Sequence, residues 1–256
     1  MRSSLSFMDI NKIFITHFHG DHFLGLPGLI QSMKLNEREK PLEVYGPKGT
    51  KQLLDILTRL GYFNPNFEVK AQELKPGAVL KFHGFSVQVI PSNHNIPSLA
   101  YAFKEDDKPG RFDKSKALEM GVPEGPLFGK IQRGQTVQVD GRTIGPDDIL
   151  GPPRRGRLMV YSGDTKPSSD ILEAARHADV LVHEGTFDAS MSETALERGH
   201  SSVTQAAEIA RKASVKKLFL VHVSPRYENT KELELEARDI FPDCIIPNDL
   251  SEYEIK

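Results

Sequence analysis

Ile10-Asn11-Lys12-Ile13-Phe14-Ile15-Thr16-His17-Phe18-His19-Gly20-Asp21-His22 opens on β-branched and apolar residues and closes on three histidines and an aspartate. The part up to Thr16 reads as a strand, so the four polar side chains fall where the chain leaves it. In a loop that short, His17, His19, Asp21 and His22 converge on a small volume, and Gly20 permits the bend that brings them together. Imidazole suits Zn²⁺, and a carboxylate adds a hard ligand that can bridge two ions or act as a base.

These four groups are too few for two zinc shells, so partners are expected at other strand ends. Three positions match that expectation. His94 follows the run Phe85–Ile90, within Ser92-Asn93-His94-Asn95-Ile96-Pro97-Ser98. Asp164 follows Leu158–Tyr161, and His222 follows Lys217–Val221. A histidine or aspartate ending an apolar run this often is what a site at one rim of a sheet requires. Of the remaining histidines, His83 reads as a turn residue and His177 as a helix-end residue. His183 adjoins Glu184 after a buried strand and reads as core or as support for a ligand. His200 precedes a helix capped by Ser201 or Ser202. Capping accounts for the serines and leaves the histidine without a structural role.

Outward from these motifs the periodicity alternates between strand and helix. Gly25–Leu35 and Lys48–Leu60 have helical spacing around a short strand at Leu42–Tyr45. Short apolar runs at Phe67–Val69, Phe85–Ile90 and Leu99–Phe103 suggest an antiparallel stretch. Strands at Leu158–Tyr161, Asp179–Val182, Lys217–Val221 and Cys244–Pro247 then alternate with helices at Ser168–Arg176, Ser202–Ala213 and Glu232–Ile240. This is a layered α/β pattern, with two sheets packed together. Between the halves, about 104–156, lies a segment rich in Gly, Pro and charge with few apolar runs, an insert of functional or disordered type.

The chain of 256 residues has a net charge of −2, which excludes a wholly basic nucleic-acid coat but allows local positive charge. No stretch approaches the roughly 18 apolar residues of a membrane span, and no signal-peptide pattern opens the chain. The single cysteine, Cys244, allows no internal disulfide, fits a reducing cytosol, and sits in an apolar run as a small core residue.

Taken together, Thr16–His22, Ser162-Gly163-Asp164-Thr165, His183-Glu184-Gly185-Thr186-Phe187, Gly199-His200-Ser201-Ser202 and Val221-His222-Val223-Ser224-Pro225-Arg226-Tyr227 resemble the metallo-β-lactamase superfamily. The His-Glu-Gly-Thr-Phe and Gly-His-Ser-Ser pieces are similar to its ribonuclease Z branch, short-form tRNA 3′-processing endonucleases. The resemblance covers nearly the whole chain. It implies one metallo-β-lactamase-like domain over 1–256, a four-layer αββα sandwich of α/β (α+β) class, with an inserted arm at about 104–156 that grips tRNA.

It also implies two Zn²⁺ ions, or other divalent metals. One would be held by His17, His19, His94 and Asp164, and the second by Asp21, His22, Asp164 and His222, with Asp164 bridging. Glu184 and His200 would act together at the scissile phosphate, and Asp21 would help deprotonate the attacking water. The expected reaction is removal of the 3′ trailer from precursor tRNA by a cytoplasmic homodimer, leaving a 3′-hydroxyl on the tRNA and a 5′-phosphate on the trailer. Arg226 is a candidate phosphate contact near the site. Arg111, Lys114, Lys116, Lys130 and Arg133 are candidates on the arm, among interleaved acids. Family members begin with roughly 50 further residues, and their loss would expose an unpaired sheet edge. The competing expectations are a superfamily hydrolase acting on a small phosphodiester or ester, and an inactive metal-binding fragment.

Overall fold

The computed structural model describes residues 5–60 and 64–255. The run ending at Thr16 supplies β1 (Lys12–Phe14), which lies parallel to β2 (Leu42–Gly46), itself parallel to β3 (Val69–Glu73). The later strands are β4 (Val79–Phe82), β5 (Phe85–Pro91), β6 (Leu99–Glu105), β7 (Val137–Val139), β8 (Arg142–Ile144), β9 (Leu158–Tyr161), β10 (Val180–Glu184), β11 (Leu218–Val221) and β12 (Cys244–Ile245). A three-stranded sheet runs β1-β2-β3, and a seven-stranded sheet runs β12-β11-β10-β9-β6-β5-β4. In the larger sheet β9 to β12 pair in parallel and β4 with β5 antiparallel.

The antiparallel reading of the middle segment therefore holds for β4 and β5 but not for β3. That strand starts where Phe67–Val69 ends, and its residues Val69-Lys70-Ala71-Gln72-Glu73 carry too little apolar character to announce it.

Alternation along the strands explains the layering. Leu42 and Val44 of β2 face the helices Gly25–Leu35 and Thr50–Thr58, where they pack with Ile30, Met33, Leu54 and Leu57. Tyr45, one residue on, faces the other way and joins Phe14, Val87, Val89, Leu99 and Tyr101 between the sheets. Phe14 stacks on Tyr45 with ring centres 4.7 Å apart, and the buried Tyr101 hydroxyl donates to the Ile15 carbonyl at 2.6 Å. Beyond the larger sheet, Val160, Leu181, Leu218 and Leu220 pack against the helices Ser169–Ala174, Val203–Ala213 and Lys231–Ile240. Three apolar layers thus separate helix, sheet, sheet and helix, the expected αββα order. Cys244 is buried in the outermost of these layers.

Residues Lys104–Arg157 form a compact unit apart from the remainder of the chain. Here the sequence pattern announces no elements, yet the unit contains helices Lys114–Glu119, Pro126–Gln132 and Pro146–Ile149 and the β7–β8 hairpin. They enclose a core of Ala117, Val122, Ile131, Val137, Ile144 and Ile149. At its base Arg157 Nε donates to Glu105 Oε2 at 2.8 Å, and Lys108 bridges to Arg154. Gly110 crosses so close to Gly151 that a Cβ would overlap the Gly151 carbonyl. Arg111, Lys114, Lys116, Lys130 and Arg133 are all exposed, with Lys114 paired to Glu124 at 2.7 Å. Among the described residues, no helix is long and apolar enough to cross a membrane.

Candidate metal centre

Every residue expected as a ligand lies in the unit that carries the two large sheets, and the fold brings all seven together. The chain leaves β1 in extended form, burying His17 completely, and Thr16 pairs with the start of β6 through Leu99. His19 precedes the short helix Gly20–Phe23, whose single turn carries Asp21 and His22. His94 comes from the β5–β6 connection, Asp164 from the loop after β9, and His222 from the end of β11. Two backbone features mark these loops. Gly163 has φ +58°, and a Cβ there would lie 2.8 Å from the Thr16 side chain. His222 itself adopts φ +58°, an uncommon conformation for a residue with a Cβ and one that clusters at functional sites.

The ring nitrogens fall into two classes. Nδ1 of His94 donates to the Gly199 carbonyl at 2.7 Å, and Nδ1 of His17 and of His222 each lie 3.0 Å from a threonine hydroxyl, Thr16 and Thr186. With the proton on each anchored nitrogen, Nε2 presents a lone pair inwards. Those inward nitrogens crowd one another. His17 Nε2 is 3.1 Å from His19 Nδ1, His94 Nε2 is 3.2 Å from the same atom, and His22 Nε2 is 3.3 Å from His222 Nε2. Asp164 Oδ2 sits 3.3 Å from His22, 3.4 Å from His222 and 3.6 Å from His17. Asp21 Oδ2 is 3.3 Å from His222 Nε2 and 3.4 Å from His22 Nε2.

Lone pairs aimed at lone pairs repel unless a cation lies among them. The donor set of imidazoles and carboxylates without thiols is that of an open catalytic site. The residues therefore fit a divalent metal cofactor.

Charge follows the same logic. Burial, aided by His22, pulls the His17 imidazole down to about 3, so it is neutral at physiological pH. Burial pushes the Asp164 carboxyl up, but its bond to His22 and the surrounding imidazoles outweigh this and hold it at about 2. Asp21 is likewise lowered, burial being outweighed by His222 and His22. The centre thus holds carboxylates ionised and its deepest imidazole unprotonated, the states that bind metal.

Beside this cage stands a second constellation. His200 Nδ1 donates to Glu184 Oε1 at 2.9 Å and lies 3.9 Å from Asp164 Oδ2. Glu184 is buried at the end of β10 and also accepts from Thr165 N at 2.8 Å and Thr186 Oγ1 at 2.6 Å. Burial lowers the His200 pKa, but the hydrogen bond and charge of Glu184 dominate and raise it. Sequence reasoning gave no role to Thr186, whose hydroxyl touches Glu184, His200 and His222 at once. Its one signal was membership of the His183–Phe187 motif. His183 is buried and donates to the Glu184 carbonyl, as a supporting core residue would. His83 is exposed in the β4–β5 turn, and His177 lies outside the cluster.

Arg226 is exposed, and its guanidinium carbon lies 4.9 Å from the centre of the Phe187 ring, which in turn is 6.2 Å from the His200 ring. Arg111, Lys130 and Arg133 belong to the compact unit Lys104–Arg157.

The chain is 45% identical to a ribonuclease Z of Methanosarcina acetivorans over 256 residues, 100% of this chain and 84% of that protein. It belongs to the ribonuclease Z family. The ribonuclease Z of Archaeoglobus fulgidus is 43% identical over 257 residues, again covering 100% of this chain and 84% of the relative. A family described as beta-lactamase superfamily domain matches residues 2–112 and 149–223, leaving a gap within the compact inserted unit. Among solved structures, human tRNase Z, short form, superposes with a TM-score of 0.69 at 24% identity, over 100% of this chain and 83% of that one. The metallo-beta-lactamase fold protein YhfI of Bacillus subtilis gives 0.62 at 17%, over 94% and 75%. At these identities the two structures establish the fold. The family membership rests on the ribonuclease Z sequences.

Proposed function

We propose that this chain is a zinc-dependent endoribonuclease that removes the 3′ trailer from precursor tRNA, leaving a 3′-hydroxyl on the tRNA and a 5′-phosphate on the trailer. The observation that carries this reading is the His200–Glu184 pair at 2.9 Å, set against Asp164 of a metal cage in a ribonuclease Z chain. His17, His19, His94 and Asp164 would hold one Zn²⁺, and Asp21, His22, His222 and the shared Asp164 the other. When bound, the ions supply Lewis acidity that polarises the phosphoryl oxygen and lowers the pKa of the attacking water.

The chain's own residues handle the protons. Asp21, ionised and partly exposed, accepts the proton of the attacking water through a carboxylate oxygen. His200 keeps Nδ1 on Glu184, which leaves Nε2 to deliver a proton to the departing 3′-oxygen, a poor leaving group as the bare alkoxide. Glu184, fixed by four donors, stabilises the protonated imidazole and is held against it. Arg226 is the nearby cation for a phosphate. The Lys104–Arg157 unit, with Arg111, Lys130 and Arg133 on its surface, is the arm that contacts the tRNA. The working form is a cytoplasmic homodimer, which sedimentation would test.

The test is cleavage of a 3′-extended precursor tRNA with zinc present, compared with turnover of cyclic AMP. Cleavage at the trailer junction with negligible cyclic AMP turnover supports the reading. The reverse preference would move the enzyme to small phosphodiesters.

A further inference from the structure

Phe187 follows Thr186 and is almost fully buried, but its ring serves more than the core. Among the aromatic rings of the described residues its close partner is His200, edge on at 6.2 Å. Two guanidinium groups lie over it, that of Arg226 at 4.9 Å and that of Arg198 at 6.0 Å. Both arginines are exposed, and neither forms an ion pair among the described residues, although Glu193 and Glu197 share a helix with Arg198. Arg226 gives one N–H to Ser224 Oγ at 3.1 Å and another to the weakly accepting Met191 sulfur. Most of the five N–H donors on each guanidinium therefore remain unused.

The backbone beneath Arg198 is fixed to the metal centre. Arg198 ends the helix Ser192–Arg198, and its carbonyl accepts from Asn95 Nδ2 at 2.8 Å. The next carbonyl, of Gly199, accepts from His94 at 2.7 Å. Gly199 has φ +85°, and a Cβ there would lie 2.9 Å from His94 Nδ1. Two cations on one ring, neither in an ion pair among the described residues, offer a site for an anion.

Resting on the function proposed above, we infer that Arg198 and Arg226 form a paired clamp on Phe187 for the RNA phosphates immediately upstream of the cut, those of the single-stranded 3′ end that remains with the tRNA. The polarity follows from His200. The 3′-oxygen it protonates belongs to the upstream nucleotide, and Phe187 with its arginines lies against His200. The strand running back from that oxygen meets the arginines, while the trailer leaves on the attacked side. The flat, forked guanidinium matches a phosphate in two hydrogen bonds, and the ring beneath holds the fork in plane.

The experiment measures binding of mature tRNA and of a free trailer oligonucleotide across a salt series, for the zinc-loaded wild type and for Arg198→Met and Arg198→Lys. Methionine keeps an apolar stem over Phe187 and removes the charge. Arg198→Met is expected to weaken mature tRNA binding about tenfold and to reduce the slope of log affinity against log salt by about 0.7, the single-strand value per phosphate. Trailer binding and melting temperature should not move, and Arg198→Lys should restore the slope. An unchanged slope for mature tRNA, or a loss confined to the trailer, overturns the clamp while the wild type still processes precursor. A wild type that neither binds nor cleaves tRNA overturns the underlying function instead.

Discussion

Glu184 accepts from two backbone amides, a threonine hydroxyl and an imidazole, so its charge serves orientation as well as pKa. Glu184→Gln places an amide against donors and should lower kcat on precursor tRNA about 10²-fold. It should also shift the alkaline limb of the rate profile. A general acid works while protonated, so activity falls as pH rises through its pKa. Glu184 raises that of His200, and the glutamine variant should therefore lose activity at lower pH than wild type. A limb that stays in place would remove His200 as the acid. His200→Ala should abolish cleavage while zinc content, measured by metal analysis, stays at the wild-type value. Asp21→Ala and His22→Ala should instead lose metal with activity, and unchanged stoichiometry would refute their assignment as ligands. At this scale His17 to His22 were legible because adjacency in sequence forces adjacency in space. Glu184 and His200 were legible through family resemblance. Thr186 was not, because its contacts with residues 14 and 36 positions away exist only once β10, β11 and the His200 loop are placed.

The helix Val203–Ala213 shows which elements a sequence declares. Ser202 accepts from Gln205 N while the Gln205 side chain accepts from Ser202 N, a reciprocal cap spelled out by the spacing. Ala206, Ala207 and Ala210 then fall on one buried face. Ser202→Ala should cost about 1 kcal/mol and lower the melting temperature by a few degrees, read by calorimetry. No such signals mark Lys104–Arg157. Its core residues are scattered among glycines, prolines and polar side chains, and its helices are only four to seven residues long, too short for periodicity to emerge. Glu105 N donates to Arg157 O at 2.9 Å, so the two ends of the unit meet. Replacing 106–156 with a short Gly-Ser turn should therefore leave hydrolysis of bis(p-nitrophenyl) phosphate intact while weakening precursor tRNA binding about tenfold. Equal losses on both substrates would show that the unit supports the catalytic fold rather than the RNA.

At the scale of the whole molecule the site belongs to both sheets. Its ligands leave β1 of the smaller sheet and β5, β9 and β11 of the larger one. Metal therefore ties the sheets together, and each Zn²⁺ site should stabilise the EDTA-treated protein by about 2.7 kcal/mol when the free ion is at 100 times that site's Kd. Without metal the titrations pull in opposite directions. His17 is lowered to about 3, and His94 and His183 are lowered too, each chiefly by burial. Below the unfolded value of 6.5 the unfolded chain binds these protons and the fold does not, so stability falls as pH drops from 6.5 towards 3. His22 and His200 are raised, burial being outweighed by Asp164 and Glu184 respectively. Their contribution is complete below 6.5 and is lost as pH climbs through their folded values. Stability of the EDTA-treated protein should therefore peak near the histidine value and decline on both sides, as urea unfolding at pH 8, 6.5 and 5 would read. Continued stabilisation down to pH 5 would mean that these buried imidazoles are charged in the metal-free fold, and zinc binding at that pH would then have to displace their protons.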